Sequence, residues 1–134
     1  MKIFSLLAVS GAYMFAATIS LEIVNIQNRP GSVYVGLYKQ SKNFKSFEDT
    51  YKNTTLFPHA KNITVTFDDI TDGKYAIALF HDENENKKLD KNFFGIPKEG
   101  YAFSNNPTTL FEPSFDDISF ELNTTTKLQL KVHY

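Results

Sequence analysis

Ile118, Phe120 and Leu122 interleave with Ser119, Glu121 and Asn123, and Leu128, Leu130, Val132 and Tyr134 interleave with Lys127, Gln129, Lys131 and His133. A period of two puts every apolar side chain on one face of an extended chain, so each segment predicts a strand with one wet face. Asn123-Thr124-Thr125-Thr126 between them is short and polar, which predicts a closing hairpin.

The same period recurs upstream. Ile19, Leu21 and Ile23 alternate, and the phase slips at Val24 and Ile26 as a bulge would allow. Asn28-Arg29-Pro30-Gly31 then turns the chain into Val33, Val35 and Leu37. Ile63, Val65 and Phe67 lead through Asp68-Asp69-Ile70-Thr71-Asp72-Gly73 into KYAIALF, residues 74–80. That last run is apolar at nearly every position, which predicts a central strand covered on both faces. The spacing Phe67-x-x-Ile70-x-x-Gly73-x-Tyr75 resembles the strand–turn–strand signature of transthyretin-like and Ig-type sandwiches, where glycine takes the turn and the aromatic packs back over it. A generic glycine hairpin is the alternative. With no convincing helix, the expected fold is all-β: a single antiparallel Ig-like/transthyretin-like β-sandwich of about seven strands with two long loops, residues 40–61 and 82–116. Loops of that length in a compact domain tend to be functional or tied down.

The first residues, MKIFSLLAVSGAYMFAA, have one lysine, an apolar centre and small residues at the end. That build predicts a secretory signal over 1–17, a domain over 18–134, and a periplasmic or secreted location. An uncleaved anchor is the other reading, but Ser5, Ser10 and Gly11 dilute a run already short of the ~20 residues a span needs. No stable membrane insertion is expected once the signal is removed. There is no cysteine, which excludes disulfides, thiolate metal sites and lipid attachment through sulfur. Without Lys2, thirteen basic residues face fifteen acidic ones, and no basic block points to nucleic acid.

HDENENKKLD, residues 81–90, places oxygen donors at alternate positions: Asp82, Asn84, Asn86, the Lys88 carbonyl and Asp90. That is the spacing of a calcium loop, because a turn around a hard cation points alternate side chains inward. It is not an EF-hand, since Lys87 stands where glycine is needed and Phe93 where a bidentate glutamate is needed. A looser Ca²⁺ loop could draw its missing carboxylate from Glu99 or Glu83. The alternative is an Asn/Asp-rich turn whose side chains cap its own backbone. No organic cofactor is expected. NFFGIPKEGYAFSNN, residues 92–106, follows. Phe93, Phe94, Tyr101 and Phe103 would give it a small core over the sandwich. Lys98, Glu99, Ser104, Asn105 and Asn106 would ring the cation loop or a groove, with Glu99, Tyr101, Asn105 and Asn106 as candidate ligand-binding residues.

HDENENKKLDKNFFGIPKEGYAFSNN, followed by FEPSFDDISFEL, resembles the bacterial exported proteins grouped as domain-of-unknown-function family 2141. The resemblance implies a common loop fold in an exported sandwich and brings no enzymology. Members usually carry glycine where this chain has Glu85, Lys87 and Ala102. Lys87 would therefore adopt an angle that glycine takes freely, at a cost of about 1 kcal/mol.

The expected function is that of a non-enzymatic exported module whose loop face binds an unknown envelope protein or small ligand. A cell-envelope hydrolase using His81, Asp82 and Glu99 is the alternative, since those groups could supply acid–base chemistry if brought together. No serine elbow, His-x-x-x-His pair or phosphate-cradling glycine loop is present. A third possibility is assembly through an exposed sheet edge. His59 and His133 are too isolated to suggest a metal pair. Phe44, Phe47, Tyr51 and Phe57 are expected to pack beneath the first loop.

Overall fold

The computed structural model describes residues 16–39, 47–108 and 112–134, so residues 1–15 of the expected leader, and Phe44, lie outside the described residues. The strands are β1 (Ala17–Val24), β2 (Ser32–Lys39), β3 (Lys52–Leu56), β4 (Ile63–Ile70), β5 (Gly73–Asp82), β6 (Tyr101–Phe103), β7 (Ser119–Leu122) and β8 (Thr126–Lys131). One sheet has the order β4-β1-β8; the other has β3-β2-β5, with β6 and β7 sharing the far edge of β5. The two sheets close on a core that includes Ile19, Leu21 and Ile23 from β1, Val33, Val35 and Leu37 from β2, and Tyr75, Ile77 and Leu79 from β5. The fold is the expected β-sandwich.

β5 is central, as its composition predicts. Its odd residues face the core, while Phe80 on the other face stacks against Tyr34 at 5.3 Å, with Phe47 edge-on to both. That aromatic cover explains why neither β2 nor β5 alternates. Tyr75 donates its hydroxyl to the Thr71 carbonyl at 2.6 Å, so the aromatic does fold back over the β4–β5 turn. In the first long loop, Tyr51 packs on the Tyr75 ring at 5.9 Å, while Phe57 is exposed.

Four expectations are corrected. β7 and β8 do not form a hairpin: β7 pairs with β5 and β8 runs parallel to β1, so the polar turn between them crosses from one sheet to the other. Alternation defines a wet and a dry face but does not choose the neighbouring strand. The β1–β8 pair is thus an exception to the expected antiparallel pattern. The phase slip at Val24 is the end of a strand, because Asn25 takes a left-handed φ of 66° and donates its side-chain amide to the Val132 carbonyl at 2.7 Å. Finally, the two long loops are partly structured: the first holds a 3-10 turn and β3, and the second holds β6 and a four-residue helix, α1 (Phe115–Ile118). Ser114 caps that helix by accepting from Asp117 N–H, and the Asp117 carboxylate accepts from Ser114 N–H.

Candidate functional site

The 82–100 loop leaves β5 at Asp82 and returns at β6, pinned at its base where His81 N–H donates to the Gly100 carbonyl at 2.7 Å. Glu99 ties the loop together. Its carboxylate accepts from Glu83 N–H at 2.7 Å and from Asp90 N–H at 2.9 Å, so one buried side chain fixes both ends of the 83–90 turn. Burial pushes the Glu99 carboxyl above its ordinary range, against the opposing effect of those two backbone donors.

Within the turn, three of the expected ligands, Asn84, Asn86 and Asp90, come together. Asp90 accepts from Asn86 Nδ2 at 2.8 Å and from Asn84 Nδ2 at 2.6 Å. The Asn86 and Asn84 amides hold the Asp90 carboxyl below the usual range. The amide oxygens are turned to backbone: Asn84 Oδ1 accepts from Asn86 N–H and Asn86 Oδ1 from Lys88 N–H. These are the bonds of a turn that caps itself. Glu85 and Lys87 adopt left-handed φ values of 56° and 63°. The strain at Glu85 is offset by a hydrogen bond from Ser32 Oγ to its carboxylate at 2.8 Å.

Asp82 breaks the pattern of mutual capping. It is fully buried, its Oδ2 accepts from Lys87 N–H at 2.7 Å, and its Oδ1 has no hydrogen-bond partner. A buried carboxylate oxygen without a donor is costly, and such atoms in folded proteins ordinarily face a water or an ion. Among the described residues, no three His, Cys, Asp or Glu side chains are grouped to hold a metal, so any cation here relies on amide and carbonyl oxygens for most of its shell.

His81 points to the opposite face of β5 from Asp82, as consecutive strand residues must. Gln27 N–H donates to the Tyr134 oxygen at 3.1 Å. Tyr134 Oη and His81 Nδ1 share a hydrogen bond at 2.8 Å, while His81 Nε2 is buried and without a partner. His81, Asp82 and Glu99 are respectively 0%, 0% and 4% exposed, so as folded they cannot meet a substrate together.

The remaining candidates serve the fold. Tyr101 lies in β6 against Phe103 and His133. Asn105 donates to the Ser119 carbonyl at 2.9 Å. Asn106 donates to Gln129 O at 2.9 Å and accepts from Lys131 N–H at 3.0 Å. Both asparagines are exposed and commit their side-chain amides to backbone groups. Ser104, expected at the rim, is buried: its N–H donates to Ile77 O and its Oγ accepts from Ile77 N–H, each at 2.9 Å. It thereby fills the gap between β6 and β7 on the edge of β5, and its hydroxyl donates to the Ile118 carbonyl. Phe93 and Phe94, expected in a small core, are instead 97% and 83% exposed. The run of small polar residues Ser104-Asn105-Asn106 was the available signal for these clamps, whereas the orphaned oxygen of Asp82 has none in sequence.

No curated protein and no solved structure matches the chain. The model of one family, described as an uncharacterized protein conserved in bacteria (DUF2141), does match, over residues 21–129 and hence from β1 to β8 with the whole Asp82-to-Asn106 region inside it. A chain matched over that length belongs to this family of uncharacterized bacterial proteins.

Proposed function

We propose that the chain is an exported, non-enzymatic β-sandwich module whose 82–90 loop takes a calcium ion and whose loop end meets an envelope partner or small ligand. The observation that carries the cation reading is the buried, unpartnered Asp82 Oδ1 in a loop that also gathers Asp90, Asn84 and Asn86. The residues suit a hard cation in donor type. Two carboxylates and two amides with the Lys88 carbonyl would suit the weak ~10⁻⁴–10⁻³ M affinity of extracellular modules. Binding would require the two asparagine amides to turn their oxygens inward, replacing their N–H bonds to Asp90. Export rests on the leader-like start of the chain, and the burial of His81, Asp82 and Glu99 favours a binding role over hydrolysis.

The test is a thermal melt of the protein purified after expression of the full chain, in chelator and then in rising calcium, with magnesium as control. A site filled at ~100 times its dissociation constant adds about 2.7 kcal/mol. A calcium-specific rise in Tm that Asp82→Asn and Asp90→Asn abolish supports the reading. No rise at any calcium concentration makes the loop a self-capped turn and overturns it.

A further inference from the structure

The turn that follows the cation loop is built to display apolar side chains. Lys91 and Pro97 form a bridge, Asn92 N–H donates to Ile96 O at 2.8 Å, and Gly95 N–H to Asn92 O at 3.0 Å. The Asn92 side chain closes the turn from within, its Oδ1 accepting from Phe94 N–H at 2.9 Å and from Ile96 N–H at 3.0 Å. A hairpin so short and internally bonded cannot fold its rings back onto the sandwich. Phe93, Phe94 and Ile96 are left 97%, 83% and 45% exposed, the two rings edge-on at 5.6 Å. A fixed, contiguous apolar tip on a protein surface marks a contact site.

The charge around the tip indicates the kind of contact. Lys87, Lys88, Lys91 and Lys98 flank it in sequence and are all exposed, and none of them forms a salt bridge among the described residues. Of the acids on the same loop, Asp82 and Glu99 are buried and Glu83 is paired with Arg29, so the four lysines face Asp90 and the exposed Glu85, an excess of two positive charges on a chain whose total is −1. Even with Lys98 set against the neighbouring Asp90 charge, three lysines remain against Glu85. An apolar tip in a cationic collar matches the layering of an anionic bilayer, with acyl chains beneath and phosphates above. Among the described residues no helix is long and apolar enough to cross a membrane, so such a contact is peripheral.

We infer that the 91–97 hairpin docks on an anionic lipid surface, inserting Phe93, Phe94 and Ile96 at the headgroup boundary while Lys87, Lys88, Lys91 and Lys98 engage lipid phosphates. The contact does not depend on the calcium reading, because the hairpin is closed by its own bonds.

The test is flotation of the protein, purified after expression of the full chain, with vesicles of equal parts phosphatidylglycerol and phosphatidylcholine against vesicles of phosphatidylcholine alone. The wild type is expected to float with the anionic vesicles and to detach as salt rises. Phe93→Ala and Phe94→Ala should each weaken the partition at least about tenfold, and Lys91→Gln with Lys98→Gln about thirtyfold together. Melting of these variants should match the wild type, because the substituted side chains are exposed. Absence of wild-type binding, equal binding to neutral vesicles, or unchanged binding of the phenylalanine variants would each overturn the inference. Self-association lost in Phe93→Ala, with no vesicle binding, would overturn it in favour of a second copy of the chain.

Discussion

Gly100 has no side chain because Tyr134 occupies the space. A Cβ built at residue 100 would lie 2.5, 2.8 and 2.9 Å from three ring carbons of Tyr134, where ordinary contact begins at 3.4 Å. Gly100→Ala therefore forces the ring to retreat by about 1 Å or the loop base to open, since contacts shorter than van der Waals distance are strongly repulsive. Such a retreat stretches the 2.8 Å bond to His81 Nδ1 and the 3.1 Å bond from Gln27 beyond hydrogen-bonding range. His81, buried with Nε2 already unpartnered, would then have no hydrogen bond from either ring nitrogen. Leaving a buried polar group unpaired costs about 1–3 kcal/mol, and overpacking adds about as much. The expected loss is roughly 2–6 kcal/mol, a fall in Tm of about 8–25 °C for a domain of this size. The assay is a double-mutant cycle by urea denaturation over wild type, Gly100→Ala, Tyr134→Ala and the double variant. With the ring removed, the added methyl meets little resistance, so the second substitution should cost less than about 0.5 kcal/mol. If Gly100→Ala costs as much without the Tyr134 ring as with it, the steric reasoning is wrong.

Two further outcomes follow from the clamps. Ser104→Ala removes the oxygen that accepts from Ile77 N–H in the gap between β6 and β7, and should cost about 1–3 kcal/mol by chemical denaturation, with faster amide exchange at Ile77 as its local signature. The backbone N–H of Ser114, and then its hydroxyl, hold the Asp117 carboxyl below its ordinary value of 3.8. A depressed acid contributes stability that is present above the unfolded value and lost as pH falls through the folded one. An NMR titration should place the Asp117 midpoint below 3.8, and Ser114→Ala should move it up towards that value.

The physical signals behind the fold were unevenly readable. Period-two alternation placed β1, β4 and β8, and the unbroken apolar run of KYAIALF placed β5 at the centre, because both follow from which faces are wet. Pairing was less readable: the short polar link after β7 suits a hairpin, but Gly73–Ala76 on β5 already offers β7 a partner. β6 escaped notice because three residues cannot establish a period, and α1 because Ile118 continues the alternation of Phe120 and Leu122. The Ser114-x-x-Asp117 spacing was the helix signal that this alternation hid. In the loop, the meeting of Asn84, Asn86 and Asp90 was legible in their spacing. That Glu99 is buried and binds both ends of the turn, and that Phe93 and Phe94 face outward, depended on backbone bonds made across distant residues.

Asn106 has a consequence beyond holding its loop in place. β8 is the last strand of its sheet, so one row of its peptide groups would otherwise lie open to any extended chain. The side-chain amide of Asn106 meets that row at Gln129 O and Lys131 N–H, standing in for one peptide unit of a neighbouring strand. A single asparagine thus occupies a place on the β8 edge where an added strand would have to pair, so an incoming chain at this edge must first displace it.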